Sequence, residues 1–259
     1  MTRITLSVVS RLAVAAMLAL PGTSGALEPH NVPLYLSTGV SPNMVITLDD
    51  SGSMAWAYVP DSISSDSSTR RFKAASYNAQ YYNPKTRYLP PLDVNATPLT
   101  TSFTAAWRNG FYPGHGSVNL ETQYRPYSSF NSTGVGSTSY SQSLANHSPL
   151  DVGTSPKPFP TNKSDTQAYY YVFDSSLSGC DGSATDEDCY KLVKVSSTSG
   201  PGTQDINGDS VFDAADKDER QNFANWFSFY RTRNLATITA ASRAFQDIPE
   251  EMRVAWQAL

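Results

Sequence analysis

The sequence predicts an α/β fold, one β–α–β unit interrupted by a large, irregular, β-rich insertion. Three observations predict it. Asn43-Met44-Val45-Ile46-Thr47-Leu48 is an apolar run of strand length. Between Asp213 and Phe245, residues Phe223, Trp226, Phe227, Tyr230, Leu235, Ile238, Ala241 and Phe245 recur at three- and four-residue spacing, which places them on one broad face of a single long helix. Arg253-Val254-Ala255-Trp256-Gln257-Ala258-Leu259 then alternates as a second strand. A right-handed crossover through the helix makes the two strands parallel neighbours. The chain stops inside this second strand with no terminating turn, which reads as the amino-terminal piece of a longer protein or a truncated reading frame.

In chain order, residues 1–26 read as an export signal. Arg3 and Arg11 supply positive charge, Leu12 to Leu20 is a short apolar core, Pro21-Gly22 breaks it, and Ser24-Gly25-Ala26 offers small residues for cleavage after Ala26. The apolar run is too short for a permanent membrane span, so no transmembrane segment is expected after cleavage. Residues 27–54 follow as the first strand and its loop. The composition excludes one partner class. A net charge of −4 without a basic cluster offers no positive stripe for nucleic acid.

The loop after the first strand carries the chemistry. Asp49-Asp50-Ser51-Gly52-Ser53-Met54 presents a carboxylate and two hydroxyls at alternate positions, just beyond what reads as a buried strand. A hard divalent cation takes such oxygen ligands, and the carboxyl end of an α/β strand is where such sites are built. Asp49-x-Ser51-x-Ser53 resembles the metal-ion-dependent adhesion site of von Willebrand factor type A domains. The resemblance implies an incomplete von Willebrand A-like, Rossmann-type unit holding Mg²⁺ or Mn²⁺, with Ser51 and Ser53 as direct ligands and Asp49 direct or through water. It also implies a further Thr and Asp from loops beyond Leu259, so this chain alone is expected to hold the ion weakly. A competing reading makes Ser51 the nucleophile of a secreted hydrolase, which requires an imidazole base. The chain has only His30, His115 and His147, and no Gly-x-Ser-x-Gly elbow, which makes an enzyme the weaker reading.

Residues 55–204 form the insertion, a stretch rich in Ser, Thr, Tyr, Asn, Pro and Gly that is far too long for an ordinary connection. It reads as an inserted subdomain or a set of long functional loops. Arg70 to Ala75 reads as a helical turn, Tyr77–Pro84 and Tyr88–Pro91 as extended and turn segments around proline, and Phe103 to Trp107 as a short packed element. Ser128 to Ser143 is a low-complexity stretch expected to be an exposed, mobile loop. Ala168 to Phe173 and Tyr190 to Val195 read as two strands flanking Cys180 and Cys189. In an exported chain these two cysteines are expected to form a disulfide stapling the hairpin, worth about 2–3 kcal/mol for so short a loop. The many tyrosines read two ways, as a binding surface or as the packing of an insert poor in aliphatics.

Residues 205–259 close the unit. Asp205, Asn207, Asp209, Asp213 and Asp216 stand at positions one, three, five, nine and twelve of a twelve-residue loop, and the carbonyl of Val211 at position seven completes an EF-hand-like set for Ca²⁺. Asp at position twelve, followed directly by a helix, looks like the dockerin-type variant, and Ser210 stands where Gly is usual at position six. The other reading is an acidic, solvated helix start, in which Asp216, Asp218 and Glu219 complement the helix dipole.

Together these segments resemble the amino-terminal region of the PilC/PilY family of type IV pilus-tip adhesins. The resemblance rests on the export signal, Val45 to Met54, Tyr81-Tyr82-Asn83-Pro84 through Pro90-Pro91, and most specifically Asn222-Phe223-Ala224-Asn225-Trp226-Phe227-Ser228-Phe229-Tyr230-Arg231-Thr232-Arg233. Family members continue into a carboxyl-terminal β-propeller to which nothing in this chain corresponds. The resemblance implies export through the inner membrane to the periplasm, outer-membrane surface or pilus tip. It implies pilus-tip or minor pilin subunits as partners, with a host-cell or abiotic surface as ligand. A structural or force-sensing tip module with no metal at Asp49 is the remaining alternative.

Overall fold

The computed structural model describes residues 42–49, 51–130, 142–144 and 167–258. The export signal, Asp50 and Leu259 lie outside the described residues. Residues 43–259 cluster as one compact unit of mixed helix and strand.

Strand β1 (Asn43–Leu48) pairs parallel with β8 (Arg253–Ala258), in register from Asn43↔Arg253 to Leu48↔Ala258. The parallel pairing predicted across the crossover is therefore present. The burial expected of β1 is not. Met44, Ile46 and Leu48 are half-buried, whereas Asn43, Val45 and Thr47 face outward, with Val45 65% exposed. A parallel sheet is normally covered on both faces, and this one has two strands, so its outer face keeps water. Trp256 of β8 is likewise 55% exposed, its ring meeting Phe245 edge-on at 4.8 Å.

The single helix expected from Asp213 to Phe245 is instead three segments: a 3-10 turn (Ala214–Lys217), α1 (Arg220–Phe229) and α2 (Arg233–Ala244). The side chains between them explain the breaks. Asp213 caps the 3-10 turn in a reciprocal box with Asp216. Thr232 is extended and caps α2, its hydroxyl accepting from Leu235 N. The last carbonyls of α1 are satisfied from outside the helix: Phe229 O accepts the Thr239 hydroxyl at 2.7 Å, and Phe227 O accepts the buried Arg231 guanidinium. A hydrophobic period survives such breaks, so periodicity alone did not reveal them.

Residues of the insertion pack around α1. Strands β2 (Ala106–Trp107) and β3 (Ser117–Val118) pair antiparallel, as do β6 (Tyr169–Phe173) and β7 (Tyr190–Lys194). The expected hairpin is thus present, and Cys180 and Cys189 are joined in a disulfide with their Cα atoms 4.6 Å apart. Strands β4 (Tyr127–Phe130) and β5 (Gln142–Leu144) also pair antiparallel. The ends of the Ser128–Ser143 stretch are therefore strands rather than loop, consistent with the aromatic residues at its edge; residues 131–141 lie outside the described residues.

The tyrosines pack the core. Tyr81, Tyr82, Tyr124, Tyr169, Tyr170 and Tyr171 are all buried, and Tyr82 meets Phe223 of α1 at 4.8 Å. The hydroxyls of Tyr81, Tyr82, Tyr124 and Tyr170 find partners, as most buried polar groups do. Tyr81 and Tyr124 share a 2.6 Å hydrogen bond, and Tyr82 and Tyr170 both donate to Glu219. Packing, rather than a binding surface, accounts for these six rings.

Candidate metal centres

The loop after β1 brings its three predicted residues together. The Asp49 carboxylate accepts the Ser51 N–H at 2.8 Å, and the Ser51 and Ser53 hydroxyls lie 3.0 Å apart. The chain then enters a 3-10 turn (Gly52–Ala55), whose Met54 N–H and Trp56 N–H return to the Ser51 and Ser53 carbonyls. Hydrogen bonds from the Ser51 backbone N–H and then the Ser51 hydroxyl hold the exposed Asp49 carboxyl below the ordinary carboxylate range. An ionised carboxylate and two clustered hydroxyls at the end of a strand suit a hard cation. The Ser51 hydroxyl thus lies between the Asp49 carboxylate and the Ser53 hydroxyl. His115, the one histidine among the described residues, packs against the Tyr112 ring at 4.6 Å.

What anchors this loop was not foreseen. The Trp56 carbonyl accepts the Arg233 N–H at 3.1 Å, at the start of α2. The Arg233 guanidinium donates to the Tyr58 carbonyl at 3.0 and 2.6 Å and to Asp61, and it lies over the rings of Trp56 and Tyr58. Those rings stack 5.1 Å apart, and Tyr58 continues into a small second core with Ile63 and Phe72. The sequence signal was an arginine directly after a capping threonine, which is legible only once the helix is known to restart there.

The loop before α1 curls about Asp205, whose carboxylate accepts the N–H groups of Gly208 and Ser210. Asn207 accepts Asp209 N–H at 2.9 Å, and Asp209 accepts Val211 N–H at 2.8 Å. Asp213 accepts Ala215 N–H, and the fully buried Asp216 accepts the N–H groups of Ile206 and Asp213. The side chains of Asp205, Asn207, Asp209, Asp213 and Asp216 therefore all bond within one loop. Ser210, at position six, has φ +68°, the left-handed conformation that the usual glycine supplies there. Donor chemistry and backbone path both fit calcium. The carboxylates are turned onto backbone N–H groups rather than gathered at one point. Among the described residues, the only three His, Cys, Asp or Glu side chains with ligand atoms within 4.8 Å of one another are Cys180, Asp186 and Cys189. The sulfurs of that trio are spent on the disulfide.

A further residue escaped sequence reasoning. Glu219 stands at the N-cap position of α1 but does not cap it with its side chain, and it is fully buried. Its carboxylate accepts from Ser199 at 2.5 Å, Tyr170 at 3.1 Å and Tyr82 at 3.2 Å. Burial pushes its pKa up, against the three hydroxyl donors, which favour the ion. It read as one of several acids at a helix start, and sequence gives no sign that one of them turns inward.

No protein-family model matches the chain, and no solved structure matches it. Three curated proteins do, each described as the type IV pilus biogenesis factor PilY1 of Pseudomonas aeruginosa. The protein of strain PAK is 38% identical over 263 residues, covering 98% of this chain and 19% of that protein. That of strain PAO1 (ATCC 15692) is 37% identical over 263 residues, covering 98% and 18%. That of strain UCBPP-PA14 is 36% identical over 244 residues, covering 90% and 17%. The chain thus spans about a fifth of the length of the curated relatives it matches.

Proposed function

We propose that this chain, a relative of the PilY1 type IV pilus biogenesis factors, is a non-enzymatic, exported module of a pilus-associated protein, serving pilus assembly and surface attachment. In this reading β1, the helices and β8 are part of a von Willebrand A-like unit. Asp49, Ser51 and Ser53 hold Mg²⁺ or Mn²⁺, and the Asp205–Asp216 loop holds Ca²⁺ as a structural ion at the start of α1. The partners are pilus-tip or minor pilin subunits and a surface ligand. The place of action is the periplasm, outer-membrane surface or pilus tip. No helix among the described residues is long and apolar enough to cross a membrane.

One observation carries the cation reading: the Ser51 and Ser53 hydroxyls meet at 3.0 Å beside an Asp49 held ionised, at the end of a parallel strand. The exposed outer face of β1 and β8 supports the rest, since a parallel pair wants further layers. The test is twofold. Mn²⁺ binding to the chain, read by paramagnetic resonance, is expected to be weak and to vanish in Asp49→Ala. Cells whose full-length protein carries Asp49→Ala are expected to show fewer surface pili and weaker attachment. Unchanged Mn²⁺ binding overturns the site, and unchanged piliation and attachment overturn its role.

A further inference from the structure

Beside the Asp205–Asp216 loop lies a cavity of about 310 Å³, where Ile206 and Asn207 face Arg87–Pro90 and the first turns of α1. Most polar atoms in its wall are already spent. Asn222 donates to Thr86 O and the Tyr82 hydroxyl and accepts from Tyr88 N. Asn225 donates to Tyr88 O and accepts from Gln221. Asp218 is paired twice with Arg220, at 2.8 and 2.6 Å, so its charge is compensated.

Two lining groups keep open valences among the described residues: the Arg87 guanidinium, which has no hydrogen bond or ion pair, and the Gln221 side-chain oxygen, whose amide nitrogen alone is engaged. Arg87 is exposed and rests against the loop. It lies so close over Gly208 that a Cβ at that position would overlap the guanidinium. A guanidinium presents a planar fork of donors, the geometry that pairs with a carboxylate. The Gln221 oxygen can only accept, and so takes a hydroxyl. Leu89, Pro90 and Ile206 add apolar wall for the carbon face of a ring. Asp205 and Asp209 stay charged nearby, their hydrogen bonds to the N–H groups of Gly208, Ser210 and Val211 only spreading that charge, so recognition of an anion rests on its direct pairing with the guanidinium.

We propose that this cavity binds a hydroxylated carboxylate of the acidic-sugar class, with the carboxylate on Arg87 and a hydroxyl on Gln221. The adjoining depression of about 560 Å³ shares Asn207, Asp218 and Gln221 and leaves room for a second ring. The assignment needs no ion at Asp49 or Asp205 and stands apart from both metal readings.

The test is titration of the full chain with glucuronate, glucose and succinate, followed by the side-chain N–H resonances of Arg87 and Gln221 and by calorimetry. Glucuronate is expected to bind saturably, and glucose and succinate about tenfold more weakly or worse. Arg87→Gln is expected to cost about tenfold or more, the worth of a charge-assisted pair, with Arg87→Lys falling between. Arg87 is exposed, and an unchanged unfolding midpoint confirms that the variant folds. Absence of saturable binding, equal binding by Arg87→Gln, or glucose binding as tightly as glucuronate overturns the proposal. Succinate binding as tightly as glucuronate overturns it too, by removing the hydroxyl from recognition.

Discussion

Arg233 holds Trp56 at two levels: its backbone N–H donates to the Trp56 carbonyl at 3.1 Å, and its guanidinium lies 5.1 Å from the centre of the Trp56 ring. The segment that follows Ser53 is thereby tied to the first residue of α2, and the position of the loop hydroxyls follows from helix packing rather than from the loop alone. The guanidinium bonds to Tyr58 O and Asp61 add charge-assisted contacts, each about 1.5–3 kcal/mol when desolvated. Asp61 is exposed, so its share is small. Arg233→Ala is expected to lower stability by about 2 kcal/mol and Arg233→Lys by more than half of that, because lysine lacks the fork and the flat face. Urea unfolding checks this, and a lysine variant equal to wild type would sink the stacking argument.

Glu219 makes stability depend on pH with a definite sign. Its folded pKa is raised, chiefly by burial, above that of the unfolded chain. Its contribution is therefore whole below the unfolded value, about 4.3, and is lost as pH rises through the folded value. Glu219→Gln removes that titration while keeping hydrogen-bonding atoms. The stability of wild type minus that of Glu219→Gln is expected to fall as pH is raised from 4 to 8. Urea unfolding of both proteins across that range reads it, and a difference that grows with pH would mean that Tyr82, Tyr170 and Ser199 outweigh desolvation.

The disulfide closes a loop that also reaches another element. Glu187, inside it, accepts the Arg70 N–H and the Arg71 guanidinium, and Arg71 donates to Thr185 O at 2.8 Å. The bond thus fixes a cap on the 3-10 turn Arg71–Lys73. Thiol labelling of unfolded, unreduced protein is expected to find neither Cys180 nor Cys189 free. Replacing both by serine is expected to cost about 2–3 kcal/mol by the chain-entropy model. A variant that loses nothing would show that Glu187 holds the loop by itself.

How much of this was legible depended on whether the signal was local. β1, β8 and the β6–β7 hairpin were readable because alternation and β-branched or aromatic residues act over a few neighbours. The Asp49-x-Ser51-x-Ser53 and Asp205–Asp216 patterns were readable as spacings, while the contact between the Ser51 and Ser53 hydroxyls came only from the fold. The helix break at Tyr230–Thr232 was not readable, because what decides it is where Arg231 and Thr239 send their side chains. The inward turn of Glu219 and the stacking of Arg233 were hidden for the same reason. Each depends on a partner more than 20 residues away: Tyr170 for Glu219, Trp56 for Arg233.

Gly110 offers a packing test free of backbone strain. Its N–H donates to Ser228 O at 3.0 Å, which brings the chain against the buried end of α1. A Cβ there would overlap the Phe229 ring and come to 2.8 Å of the Ser228 carbonyl oxygen. Phe229 is fully buried, so its ring has little room to yield. Gly110→Ala is expected to cost about 1–3 kcal/mol, the range for an added methyl in a filled core. Urea unfolding measures it, and an Ala variant as stable as wild type would mean that the contact of this segment with α1 is looser than described.

The calcium reading rests on mutual repulsion. Asp205, Asp209, Asp213 and Asp216 share one loop, and Asp216 is fully buried. Their hydrogen bonds to backbone N–H groups spread the charge but do not remove it. A bound cation would remove the repulsion and add stability by mass action, about 2.7 kcal/mol when calcium stands a hundredfold above its dissociation constant. Extracellular-type sites of even millimolar affinity are filled at the calcium concentration outside the cell. The unfolding temperature is therefore expected to rise with calcium and fall with chelator, and the shift to disappear in Asp205→Ala plus Asp209→Ala. Gly208→Ala separates fold from ligand. Its φ of +89° disfavours a side chain by about 1–2 kcal/mol, so this variant is expected to melt lower while still responding to calcium. If wild type shows no calcium-dependent shift, or the double variant keeps the whole of it, the loop is an acidic cap for the turn before α1 and nothing more.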